Sequence, residues 1–420
     1  MYPEKTPRQI GLFALVMMAI ISVDSLRNLP IAAQYGLSLV TFYTIAGLLF
    51  FLPLAWVTST LATTYPKTGG SYVWIKEALG IRMGNIAIGL QWIYNMVWYP
   101  TIFVFITTTL LQVIAPHWEQ NKWFILVTSL GFFWLLSAMH CCGMRMSSWI
   151  SIASALIGTL VPMFLIMGFA VYWLMSGHAS ATPLHWGGLL PTSGHIKNMA
   201  YFSNILFSVL GLDVIAMHAG FVKNPRTTFP IALGLSSVLI LLTLVGSALA
   251  LCVIMPPENI TLINGLMDTL HVFFSTYGYQ QSYIGIGICI IIGGLGIAAS
   301  WMISLARGLH VSLSMMNAPK WLLRLNKNEV PSRVIVMQAV VYTLLLIPFL
   351  FSENINRSYW LLSALTAQCA LVYYVILFSA ALILIKRTQK ALKLWQGLLG
   401  VLACSLCVFG IITACITPNL

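Results

Sequence analysis

Two aspartates stand inside otherwise apolar stretches of this chain. Asp24 lies within Ser22-Val23-Asp24-Ser25-Leu26-Arg27-Asn28, and Asp213 ends Ser208-Val209-Leu210-Gly211-Leu212-Asp213. A charge surrounded by hydrocarbon is expensive, so such a residue faces a bundle interior, an aqueous cavity or a partner. A carboxyl in a low-dielectric place is also suited to carrying a proton, which makes Asp213 and Asp24 the candidates for proton coupling. Pro30 follows the first stretch at a position that removes a helical hydrogen bond. An unwound segment there would offer amide hydrogens and carbonyls to a zwitterionic ligand, with a helix N-terminus facing its carboxylate. The substrate-binding candidates are therefore Ser22, Val23, Asp24, Ser25, Arg27, Asn28, Ser208, Gly211 and Asp213, with Tyr94 and Trp301 as aromatic walls. A scaffold role is the competing reading. Asp24 and Arg27, three apart on one helix face, can neutralise each other, and Asp213 can be locked to Arg27 or His218.

The elements that must hold these residues are membrane helices. Hydrophobic residues make up 59% of the 420 and charged residues 7%, where soluble domains carry about 25% charged residues. Mean hydropathy is +0.91. The apolar stretches are continuous rather than alternating, which excludes a β-barrel. Eleven spans are expected, near 9–33, 38–62, 84–114, 123–141, 148–175, 198–221, 228–255, 282–305, 333–352, 358–385 and 394–417. The short basic N-terminus lacks a small-residue cleavage site, so the first helix is expected to be retained. With the N-terminus in the cytoplasm, seventeen of the 21 Lys and Arg fall inside, three (Lys122, Lys197, Arg357) fall outside, and Arg27 lies within a span. That asymmetry sets the orientation and accounts for the formal charge of +12 without nucleic acid. Bases near helix ends are placed to touch anionic membrane lipid. Cys404 and Cys407 spell CxxC one turn apart on an apolar helix with no second ligand pair, so no metal or cofactor is expected.

The spans group as five, five and one. Residues 1–176 form the first five-helix unit, 177–197 an external connection, 198–390 the second unit, and 391–420 an eleventh helix with no twelfth. Asp24 and Asp213 fall at corresponding places in the two units. Because five is odd, the second unit enters from the opposite side, and any structural repeat is an inverted one, the architecture of many secondary transporters. Leu262 to Phe274 reads as a short helix over the outer face. The span near 282–305 carries Gly285, Gly287, Gly293, Gly294 and Gly296, which permits close helix approach. Tyr94, Asn95, Trp98, Tyr99, Ser300, Trp301, Thr366 and Gln368 are possible cavity residues. His117, His178, His185, His195 and His271 are expected on the outer side, and histidines titrate in the range of an acid sensor, but ordinary solvated loop residues are the preferred reading.

These residues resemble a known family. Leu29-Pro30, then residues 34–42 (QYGLSLVTF) and 66–70 (PKTGG), are similar to the glutamate/GABA antiporter branch of the amino acid–polyamine–organocation superfamily. The resemblance continues through Gly211-Leu212-Asp213 to His218, Asn224-Pro225, Ala299-Ser300-Trp301 to Arg307-Gly308, and Leu325 to Pro331. It implies a LeuT-type fold, ten core helices in two inverted five-helix repeats, here with one further helix. It also implies exchange or proton-linked uptake of amino acids by alternating access, with substrate between broken first and sixth helices. The chain departs from the family pattern in four places. Asp213 stands where glutamate is common, Lys223 precedes Asn224-Pro225 where an acid often does, Ile297 replaces an acid of the eighth helix, and no twelfth helix is expected within the 420 residues.

The expectation is an all-α polytopic inner-membrane protein, N-terminus cytoplasmic and C-terminus external, that moves an amino acid or related amine as an antiporter or proton-linked permease. Arg27 favours an anionic substrate such as glutamate, unless Asp24 neutralises it. An enzyme is not expected, since no HExxH, GxSxG or phosphate-binding GxxxxGK[ST] occurs. A transporter-like sensor that binds amino acid without moving it, or a transport-inactive relative lacking a twelfth helix, is the alternative.

Overall fold

A computed structural model describes residues 10–65, 70–119, 121–143, 148–191, 199–316, 318–351, 355–389 and 393–415. Nine of the described helices are long and apolar enough to cross a membrane. They are Leu12–Ala33, Gly36–Thr64, Ile81–Ile114, Lys122–Cys141, Ile152–Met175, Pro225–Ile254, Tyr283–Met315, Ile355–Gln389 and Leu394–Thr413. Two shorter apolar helices, Phe202–Met217 and Ser332–Ile347, fall where a sixth and a ninth span were expected. In chain order we call them spans 1 to 11.

Spans 3, 8 and 10 overrun the expected ends. Span 3 has 34 residues, about 51 Å of helix at 1.5 Å per residue. A hydrocarbon layer is about 30 Å thick, so these helices tilt or project beyond it. Span 3 packs against both span 8 and span 10, and span 1 against span 7. Phe133 of span 4 stacks on Tyr342 of span 9 at 4.0 Å, with Phe103 of span 3 edge-on to both, which ties these three spans together. Span 11 packs along span 10 and turns Leu398, Val401 and Leu402 outward.

The glycines of span 8 let backbones meet. A Cβ on Gly293 would overlap the backbone of Gly158 in span 5, and one on Gly158 would overlap Gly293. Gly296 faces Ser154, Gly294 faces Ile106 and Gly287 faces Val113 and Met267, whereas Gly285 looks into open space.

Both broken spans follow from local chemistry. Span 1 is helical over Leu12–Val23, extended at Asp24 and Ser25, a 3-10 turn over Leu26–Asn28 and helical again over Leu29–Ala33. Pro30 sits in the first turn of that second piece, where its missing N–H and fixed φ cost nothing. In span 6 the α-helix covers only Phe202–Ser208, and a 3-10 stretch runs over Leu212–Phe221. The break is at Gly211, φ +110°, a conformation that side chains with a Cβ disfavour. The short helix expected from Leu262 to Phe274 runs Gly265–Thr276, starting three residues later and ending two later.

Candidate functional site

The two breaks lie against each other. Trp301 of span 8 donates its indole N–H to the Ser22 carbonyl at 3.2 Å. A Cβ on Gly211 would stand 2.7 Å from that carbonyl oxygen and 3.0 Å from Trp301 Cζ2. Only glycine lets span 6 approach span 1 so closely. Around this junction a cavity of about 30 Å³ is walled by Ser22, Val23, Ser25 and Asn28 of span 1, Tyr94, Asn95 and Trp98 of span 3, Phe207 and Leu210 of span 6, and Ile297 and Trp301 of span 8. It has room for one or two waters, so an amino acid enters only if the spans part.

The ionisable residues stand behind this wall, each held differently. Asp24 is 0% exposed and accepts the Thr243 hydroxyl of span 7 on Oδ2 at 2.7 Å. Its Oδ1 has no partner among the described residues. Asp213, also 0% exposed, accepts Tyr374 on Oδ1 at 2.6 Å and Tyr373 on Oδ2 at 2.9 Å. Tyr374 in turn accepts the Gly211 N–H at 3.0 Å. One span 10 hydroxyl thus connects the carboxylate to the break.

Arg27 is 1% exposed. Its guanidinium donates to Thr101 of span 3 at 3.2 Å, Tyr359 of span 10 at 3.3 Å and Asn28 at 2.8 Å, and it lies over the Phe207 and Tyr359 rings. No carboxylate is among these partners, and among the described residues Nε has none. The pairing with Asp24 that the competing scaffold reading needs is therefore not formed. The i, i+3 relation needs a helix, and the chain is extended at Asp24 and Ser25, so the two side chains diverge towards span 7 and towards spans 3 and 10. Nor is Asp213 held by Arg27. The His218 side chain lies outside the described residues.

Of the sequence candidates, Ser22, Val23, Ser25, Asn28, Tyr94 and Trp301 reach the cavity wall, and so do Asn95 and Trp98. Asp24, Arg27, Ser208, Gly211 and Asp213 sit just behind it. Ser208 meets the Tyr43 hydroxyl at 3.1 Å and donates to the Ile205 carbonyl at 2.7 Å, fastening span 6 to span 2. Tyr99 packs on Phe103 and Phe133 instead, and Gln368 donates to Cys415. Phe207 and Leu210 had no sequence signal beyond apolar character. Thr101, Thr243, Tyr359, Tyr373 and Tyr374, which hold the charges, had none either. Among the described residues no three of His, Cys, Asp and Glu gather to hold a metal ion.

The amino acid permease family model matches residues 10–420. The chain belongs to the amino acid permease family. An uncharacterized transporter of Legionella pneumophila is 42% identical over 375 residues, 89% of this chain and 80% of the relative. The glutamate/gamma-aminobutyrate antiporter of Lactococcus lactis is 24% identical over 390 residues, 91% of this permease and 77% of the antiporter. A probable agmatine/putrescine antiporter of the same species is 25% identical over 90% of this permease and 80% of its own length. The crystal structure of MhsT in complex with L-phenylalanine superposes with a TM-score of 0.65, covering 98% of this chain and 100% of that one at 14% identity. The permease therefore has the LeuT-type fold as a multi-pass membrane protein, and it is a transporter rather than an enzyme.

Proposed function

We propose that this permease exchanges an anionic amino acid across the cytoplasmic membrane, with the substrate backbone at the breaks of spans 1 and 6 and its side-chain carboxylate drawn by Arg27. The carrying observation is the buried guanidinium without a carboxylate partner among the described residues, bonded to Asn28 on the cavity wall. An uncompensated cation in an apolar interior is costly, and an acidic substrate supplies the missing charge. The antiporters among the relatives, including one for glutamate and gamma-aminobutyrate, support exchange over one-way uptake. Asp213 is the proton-coupling residue in this reading, because Tyr374 ties its charge state to the Gly211 backbone. Asp24, anchored to span 7, has the lesser claim. The N-terminus is cytoplasmic and residues 1–176 and 198–390 act as the two inverted units.

The mechanism is alternating access. The cavity opens when the outer or inner halves of spans 1 and 6 move against spans 3, 8 and 10. Gly211 and the extended Asp24-Ser25 segment are the joints. The test is counterflow in proteoliposomes loaded with mixed amino acids, with external labelled glutamate, gamma-aminobutyrate, arginine and leucine at pH 5 and pH 7. Saturable glutamate exchange supports the reading. Exchange of arginine or leucine in preference to glutamate overturns the anionic assignment, and no exchange by folded protein overturns transport.

A further inference from the structure

A second cavity lies away from the breaks, between the end of span 8 and the start of span 9. It is open, about 430 Å³, and walled by Arg324, Leu325, Asn326, Lys327, Ser332 and Arg333. Three of these six are basic and none is acidic. Its frame is built rather than loose. Asn326 Oδ1 accepts the backbone N–H groups of Asn328 and Val330, both at 3.0 Å. Asn326 Nδ2 donates to the Cys141 carbonyl at 2.6 Å, which pins the loop to the end of span 4. Arg333 donates to the Trp321 carbonyl, and His310 of span 8 bonds the Leu323 carbonyl at 2.9 Å. Arg324 and Lys327 are exposed. No partner is recorded for either side chain among the described residues.

We propose that this cavity binds the phosphate headgroup of an anionic membrane phospholipid. The first support is charge. Three cations converge on one opening at the start of the span 9 helix, with no acid on its wall. The second support is the surface around the opening. The cavity lies at the start of span 9, and Trp321 and Leu325 are exposed there. An amphipathic indole next to bases is what a membrane interface selects, and a soluble phosphate site has no use for exposed apolar neighbours. The face is the one the basic residues place in the cytoplasm, where anionic lipids attract such clusters. The assignment is independent of the substrate reading, since the lining shares no residue with the cavity at the breaks.

The experiment compares wild type with the triple variant Arg324→Gln, Lys327→Gln, Arg333→Gln, and with a control, Lys223→Gln, Arg226→Gln, that removes two exposed bases elsewhere. Each protein is examined by native mass spectrometry after titration with phosphatidylglycerol or phosphatidylcholine, and by thermal unfolding with each lipid and with inorganic phosphate. Each base near an anionic surface contributes on the order of five-fold in affinity. The triple variant is therefore expected to bind phosphatidylglycerol about 100-fold more weakly, with an unchanged unfolding midpoint in phosphatidylcholine. The control is expected to bind as wild type does. Equal retention of the two lipids by wild type, or equal loss in the control, overturns the proposal. Stabilisation by inorganic phosphate alone assigns the cavity to a soluble anion and overturns the lipid. A triple variant whose midpoint falls in phosphatidylcholine makes the cluster structural, which also overturns it.

Discussion

Arg27 sets the energetic problem at the residue scale, because three neutral acceptors and two rings do not cancel a buried charge. A charge-assisted pair with a substrate carboxylate is worth about 2 kcal/mol or more. Arg27→Gln is thus expected to raise the KM for glutamate at least about 30-fold while leaving neutral amino acids little changed, measured by counterflow. Arg27→Lys keeps the charge but loses the planar fork, and should recover only part. At Asp213 the prediction concerns coupling. Asp213→Asn should flatten the difference in exchange between pH 5 and pH 7, and Tyr374→Phe, which also frees the Gly211 N–H, should slow exchange at both. Sequence made Asp24, Arg27 and Asp213 conspicuous because charge is rare in apolar runs. Their partners were not legible. Thr243 and Tyr374 are 219 and 161 residues away from the carboxylates they hold, and nothing local marks a tyrosine or threonine as a partner.

At the scale of the elements, the breaks were readable from Pro30 and from polar residues in apolar runs, but the divergence of Asp24 and Arg27 was not. It depends on two residues leaving helical geometry. The glycines of span 8 show the same division between pattern and place. Five glycines announce close approach, yet only the packing separates Gly293, pressed on Gly158, from Gly285, which faces open space. Gly293→Ala should lower the unfolding midpoint, since overpacking costs about 1–3 kcal/mol, whereas Gly285→Ala should leave it unchanged or raise it slightly. The helix Gly265–Thr276 carries a pH response of its own. Burial raises the Asp268 carboxyl above its ordinary range, more than the Gln112 bond lowers it. A raised folded value means the native state binds more protons than the unfolded one. This contribution is therefore complete below the ordinary carboxylate range and lost as pH rises through the raised value. Amide protection factors in this helix, which divide out the intrinsic pH dependence of exchange, should be larger near pH 4 than at pH 7, and Asp268→Asn should remove that difference.

For the whole molecule, composition and continuous apolar runs dictate a bundle of membrane helices, because only helices and closed barrels satisfy the backbone in hydrocarbon and barrel strands alternate. Span ends were less legible, since helices that project beyond the hydrocarbon carry no apolar signal where they stop. Orientation rests on the asymmetry of basic residues, and two cysteines test it directly. Cys142 and Cys415 are both exposed and lie at the ends of spans 4 and 11. Four crossings from a cytoplasmic N-terminus return Cys142 to the cytoplasm, and eleven carry Cys415 outside. In a background with the other cysteines replaced, a membrane-impermeant maleimide added to intact cells should label single-Cys415 protein and not single-Cys142 protein. Inside-out vesicles should reverse the pattern. Labelling of both from one side would mean an even number of crossings between them, and the inverted relation of the two five-helix units would then need a different assignment of span 6 or span 9, the two shortest apolar helices.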